Sequence, residues 1–144
     1  MENSHHTAKP ILPALAVDAA CSGNPGVMEF RGVIADTGTE VFRRGPFKQG
    51  TNNIGEFLAI VHALALCWNQ GLHHKTIYSD SYNAILWVQK RKCKTKLERT
   101  PQTEALFQII LRAENWLQTH NYQNPIIKWE TQKWGEVPAD FGRK

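Results

Sequence analysis

Four carboxylates in this sequence fall where secondary-structure elements end. Asp18 stands in "VDAACSGNPG" (residues 17–26), between an apolar run and a glycine-rich turn. Glu56 closes "TNNIGE" at the first turn of a helical pattern, Asp80 lies in "YSDS" at the end of a short apolar strand, and Asp140 ends "PAD" beyond the last strand. Each has an ordinary explanation: turn chemistry for Asp18, the helix dipole for Glu56, a helix cap for Asp80 and simple surface exposure for Asp140. Together they fit a different physics. Carboxylates gathered at one site repel unless cations neutralise them. Their hard oxygens suit Mg²⁺, which keeps water and shares its shell readily with phosphate. Two such ions about 3.5–4 Å apart can clamp the attacking water and the leaving oxygen of a phosphodiester. Three cysteines without a C-x-x-C pair offer no zinc site and read as reduced thiols.

The elements that must position these acids can be read from periodicity. "ILPALAVDAA", "FRGVIAD" and "TEVFRRGPF" read as three strands in an antiparallel meander. "NNIGEFLAIVHALALCWNQG" is a long helix, with Asn53 and Glu56 spaced as a capping box and Gly71 as its stop. "KTIYSD" is a short buried strand, and "SYNAILWVQK" resumes helical spacing with Ser81 beside its start. "TPQTEALFQIILRAENWLQTH" is a helix with Thr100 as N-cap and Pro101 in first position. "PIIKWE" is a fifth strand, followed by a short polar tail. A strand-helix-strand passage after a meander predicts an α/β fold: a mixed five-stranded sheet, part antiparallel meander and part parallel, with helices on both faces. If the first and fourth strands are parallel neighbours, Asp18 and Asp80 share one sheet edge, where ligand sites commonly form.

The 144 residues carry a net charge of +4, unevenly placed. Residues 90–99, "KRKCKTKLER", hold six Lys/Arg and one Glu for a net of +5, so that the rest of the chain stands at −1. One basic patch of this kind attracts phosphate, the alternative being a solvated loop. The length suits one domain, expected over 11–144 behind a flexible extension over 1–10. No apolar run approaches the ~20 residues of a membrane span, and the opening "MENSHHTAKP" lacks the order of a signal peptide. A cytoplasmic monomer without an obligate protein partner is the expectation.

The set "DAACSGNPG", "TNNIGE", "YSDS" and "PAD", in this order and among these elements, resembles ribonuclease H of the type 1 family, in its compact bacterial form, over about residues 11–140. The resemblance implies the ribonuclease H-like fold and an Mg²⁺-dependent endonuclease, with Mn²⁺ as another possible ion. Its substrate would be the RNA strand of RNA–DNA hybrids, cut to 5′-phosphate and 3′-hydroxyl ends. It implies two metal ions held by Asp18, Glu56, Asp80 and Asp140, with Asp18 shared by both. Asp140 would complete the site that activates water, and Glu56 and Asp80 the site facing the leaving 3′ oxygen. The turn carrying Cys21, Ser22, Gly23 and Asn24 would approach the minor groove, where 2′-hydroxyls mark RNA. Asn52 and Asn53 would make similar polar contacts, and Thr51 would meet the DNA-strand phosphate. Ser81 and Tyr82 follow Asp80 where the family touches substrate. Trp87, Lys90, Arg91, Lys92, Lys94 and Lys96 correspond to the family's basic handle on the DNA backbone, with Trp87 equally readable as core.

Three departures from the family pattern stand out. Tyr82 replaces the usual Gln, no histidine precedes Asp140 in "TQKWGEVPAD", and only four residues follow that aspartate where a helix is usual. The alternative function is a hybrid- or double-stranded-RNA-binding module that has lost turnover. The intact acid set argues against it, since a pure binder gains nothing by clustering negative charge near phosphate. A junction or DNA nuclease on the same fold fits less well with the basic handle and the paired asparagines.

Overall fold

A computed structural model describes residues 9–142, so most of the expected N-terminal extension lies outside the described residues. The first strand, β1 (Ala14–Gly23), turns tightly into β2 (Gly26–Ile34), and β3 (Glu40–Gly50) completes the meander. Helix α1 (Asn52–Asn69) leads to β4 (Thr76–Ser79), α2 (Tyr82–Gln89) and α3 (Glu104–Thr119), then β5 (Ile126–Lys128) and the single-turn α4 (Thr131–Trp134). The five strands form one sheet in the order β3-β2-β1-β4-β5. β1 and β3 are antiparallel to β2, while β4 runs parallel to β1 and β5 parallel to β4. The mixed sheet expected from the sequence is therefore the one that forms.

β1 is central and covered on both faces, which is why its apolar run is nearly unbroken. The strand continues to Gly23, so Asp18 stands mid-strand rather than at the expected strand end, and Cys21, Ser22 and Gly23 belong to the strand rather than the turn. Leu15, Val17 and Ala19 face the main core, built with Phe57, Ile60 and Leu64 of α1 and with α2 and α3 behind it. Ala14 and Ala16 point the other way, into a second cluster with Val33, Tyr78, Trp129, Val137 and Ala139. There α4 and the segment after it cover the sheet, and the rings of Tyr78, Trp129 and Trp134 meet edge to face at 4.9–5.9 Å. β3 is a sheet edge, and its exposed Arg43, Arg44 and Lys48 discourage pairing with another strand. No helix among the described residues is long and apolar enough to cross a membrane.

Two helix starts differ from expectation. The N-cap of α1 is Thr51, whose hydroxyl accepts from the Ile54 N–H at 3.2 Å, so the Asn53–Glu56 capping box does not form. Glu56 is turned inward instead. α3 begins at Glu104 rather than after Thr100, because residues 101–103 make a turn of their own. In that turn Thr103 Oγ1 accepts from Thr100 N at 2.7 Å and donates to Glu98 O at 2.9 Å, an alternative local satisfaction that delays the helix. The stop at Gly71 holds, its φ of +72° suiting a residue without Cβ.

Candidate active site

The parallel register sets the first pair of acids. Ala14 pairs with Thr76 and Ala16 with Tyr78, and the same register carried onward brings Asp18 level with Asp80. Glu56 arrives from α1. A Cβ on Gly55 would stand 2.7 Å from the Ala19 Cβ, so only glycine lets the helix start press this closely on β1. The next side chain, Glu56, then reaches both strands. It accepts from Ala19 N at 3.3 Å and, at the limit of hydrogen bonding, from Ser79 Oγ at 3.5 Å. Ser81, not Asp80, caps α2 by accepting from Ala84 N at 3.1 Å. The capping role that was open for Asp80 is thus filled by its neighbour.

Asp18, Glu56 and Asp80 each present an oxygen within 4.8 Å of the other two, and Asp18 and Glu56 are fully buried. Two full charges at that separation repel by roughly 3.5 kcal/mol at an effective dielectric constant of ~20. A cation between them reverses the sign of this term, so three converging hard donors fit a divalent ion of the Mg²⁺ type.

Asp140 is not a member of that group of three. Its carboxylate accepts from Gly142 N at 3.0 Å. The preceding Ala139 is buried in the second cluster with Ala16 and Val33, which are ladder partners. The next pair on that face of the sheet is Asp18 and Arg31. Arg31 Nε donates to Ala139 O at 2.8 Å and Arg31 Nη2 to Asp140 O at 2.7 Å. Arg31 was not singled out in the sequence, although a signal existed. It lies as far after Gly26 as Asp18 lies before Gly23, and Gly23 and Gly26 close the hairpin between them.

A groove of about 1260 Å³ opens beside Asp80. Of the residues expected at nucleic acid, Cys21, Gly23, Asn24, Thr51, Asn52, Asn53, Ser81, Trp87, Lys94 and Lys96 line it. Ser22, Tyr82, Lys90, Arg91 and Lys92 do not. Ala20, Pro25, Thr95, Leu97 and Glu98 also line it; the first four are small or apolar types that carry no signal in a sequence, and Glu98 was read only as one charge within the basic segment. Trp87 combines its two readings, packing edge to face on Phe57 at 6.3 Å while lining the groove. The basic segment divides by task. Arg91 donates to the carbonyls of Leu117 and His120 at the end of α3 and stacks over Tyr122. Lys92 meets Glu114 at 3.5 Å and Arg99 meets Glu104 at 2.8 Å. Lys94 and Lys96 are exposed on the groove wall.

Residues 16–125 match the family model described as reverse transcriptase-like. Among solved structures, the chain is similar to RNase H1 from the halophilic archaeon Halobacterium salinarum, with a TM-score of 0.54 and 21% identity over 83% of this chain and 87% of that one. It is also similar to LC11-RNase H1, isolated from compost by a metagenomic approach, with a TM-score of 0.53 and 17% identity over 85% and 89% of the two chains. At such identities the likeness is one of fold. With the family match spanning most of the sequence and the sheet order and strand directions described above, the chain belongs to the reverse transcriptase-like family and has the fold of the type 1 ribonucleases H.

Proposed function

We propose that this protein is a metal-dependent endonuclease that hydrolyses the RNA strand of RNA–DNA hybrids, leaving 5′-phosphate and 3′-hydroxyl ends. The observation that carries the proposal is the convergence of Asp18, Glu56 and Asp80 within 4.8 Å beside a groove that bears lysines on one wall. Clustered acids next to a phosphate path make sense for catalysis and oppose simple binding. The ordered sequence motifs support the hybrid as the substrate class, and the fold shared with RNase H1 structures agrees with that reading.

Asp18, Glu56, Asp80 and Asp140 would hold Mg²⁺, which supplies Lewis-acid stabilisation of the phosphodiester and lowers the pKa of water. The chain's own residues do the rest. Lys94 and Lys96 hold DNA-strand phosphates and set the duplex in register. Asn24, Asn52 and Asn53 offer amides that both donate and accept, as recognition of a 2′-hydroxyl requires. Thr51 Oγ1 accepts from its helix, and its O–H can still donate to a phosphate. Trp87 gives the groove a rigid apolar wall. The three free cysteines suit a reducing compartment, and we place the protein in the cytoplasm as a monomeric domain over 11–144.

The test is cleavage of a labelled hybrid beside matched duplex DNA and duplex RNA, in Mg²⁺, Mn²⁺ or EDTA. Cutting of the RNA strand in the hybrid alone, abolished by EDTA, is expected. Tight hybrid binding with no cutting in either metal would make the chain a binding module.

A further inference from the structure

We propose that Arg31 is a positioning residue for the metal site: it fixes the Asp140 backbone against the sheet at the level of Asp18. The proposal rests on the reading of Asp140 as a metal ligand. Arg31 is the ladder partner of Asp18, so the two side chains leave the sheet on the same face with Cβ atoms about 4.5–5.5 Å apart. One guanidinium takes two consecutive carbonyls, Ala139 O at 2.8 Å and Asp140 O at 2.7 Å. Two directed bonds to neighbouring peptides leave the segment little freedom to slide or rotate.

The next residue closes the clasp. The Phe141 ring lies 5.1 Å from the guanidinium of Arg31 and 5.1 Å from that of Arg43. Arg43 is held in turn by Glu29 at 3.0 Å and Glu40 at 2.9 Å, and Glu40 also meets Arg31 at 3.4 Å. Residues of β2 and β3 thus grip 139–141 from the sheet side, away from the groove, which Arg31 does not line. A solvated arginine needs no such fork, ring and carboxylate. Partners outside the ligand set that fix a ligand's position are a usual part of a metal site.

The test is calorimetric titration of Mn²⁺ into the substrate-free protein, with the Mg²⁺ dependence of hybrid cleavage measured alongside. Arg31→Met should weaken Mn²⁺ binding about 10–100-fold, the usual loss when an outer partner of a ligand is removed. It should raise the half-saturating Mg²⁺ concentration by a similar factor while hybrid affinity in EDTA stays within about twofold. Arg31→Lys should not restore binding, because an ammonium cannot supply the planar fork. Phe141→Leu leaves the fork and removes the ring; a severalfold loss is expected, and this variant carries the test if Arg31→Met does not fold. In an Asp140→Asn background, Arg31→Met should add nothing. Wild-type Mn²⁺ binding by Arg31→Met, or a full additional loss in the Asp140→Asn background, would overturn the proposal and leave the function standing. Wild-type binding and cutting by Asp140→Asn would remove Asp140 from the functional reading, and the proposal with it.

Discussion

Glu56 illustrates what the site demands of single residues. It is fully buried, shares a 4.8 Å neighbourhood with two other acids, and holds its place through Ala19 N and Ser79 Oγ. Without metal, that arrangement works against the fold. Glu56→Gln keeps the shape and removes one charge, and the Ser79 hydroxyl can reverse to accept from the new amide. In EDTA the variant should be more stable by roughly 1–3 kcal/mol, read as a Tm higher by several degrees. In saturating Mg²⁺ the order should invert. An unchanged Tm in EDTA would mean that the cluster carries no repulsion to relieve. Each acid alone has an ordinary reading, and they were legible in the sequence only because four of them recur in four ordered motifs. Arg31 was not, since an arginine in a strand looks like solvent exposure until the register places it opposite Asp18.

At the scale of elements, the basic segment is not one uniform patch. Arg91 ties α2 to the end of α3 and Lys92 answers Glu114, whereas Lys94 and Lys96 face the groove. Changing Lys94 and Lys96 to Gln should therefore flatten the salt dependence of hybrid binding by roughly 2 units of slope, about 0.9 per phosphate contact. Lys92→Gln alone should change it by well under one. An equal effect from all three would return the segment to a diffuse electrostatic coat. The strands and helices were readable from periodicity, because β1 is buried on both faces and α1 repeats at helical spacing. Helix starts were less so. Thr51, Asn53, Thr100 and Thr103 are all competent caps, and only tertiary contacts decide among them. Glu56 leaves its capping box for the sheet, and Thr103 satisfies a turn before α3 can begin.

At the scale of the whole molecule, the sheet divides two cores, and Asp18 of the central strand lies level with Asp80 just past β4. A titratable ring also lies half-buried against the main core. Burial, and secondarily the charge of Arg44, push the His62 imidazole from its ordinary 6.5 down to about 4, where it packs on Phe42 at 4.3 Å. Between those values the unfolded chain binds a proton that the folded chain refuses. His62 therefore contributes stability that is complete above the unfolded value and is lost as pH falls through 6.5 toward 4. His62→Phe should flatten that limb of a Tm-versus-pH curve between pH 7 and 4, and an unchanged slope would place the acid sensitivity elsewhere.

The proposed function divides the work between the carboxylate cluster, which would cut, and the groove, which would bind. Its most direct test is single-turnover cleavage and equilibrium binding of one labelled hybrid by wild type and Asp80→Asn in Mg²⁺. Cleavage should fall by at least about 100-fold, the scale of losing one stabilising group in a transition state, while the dissociation constant stays within a few-fold because phosphate contacts dominate affinity. Wild-type cleavage by Asp80→Asn would overturn the proposed function, as would a loss of binding as large as the loss of rate.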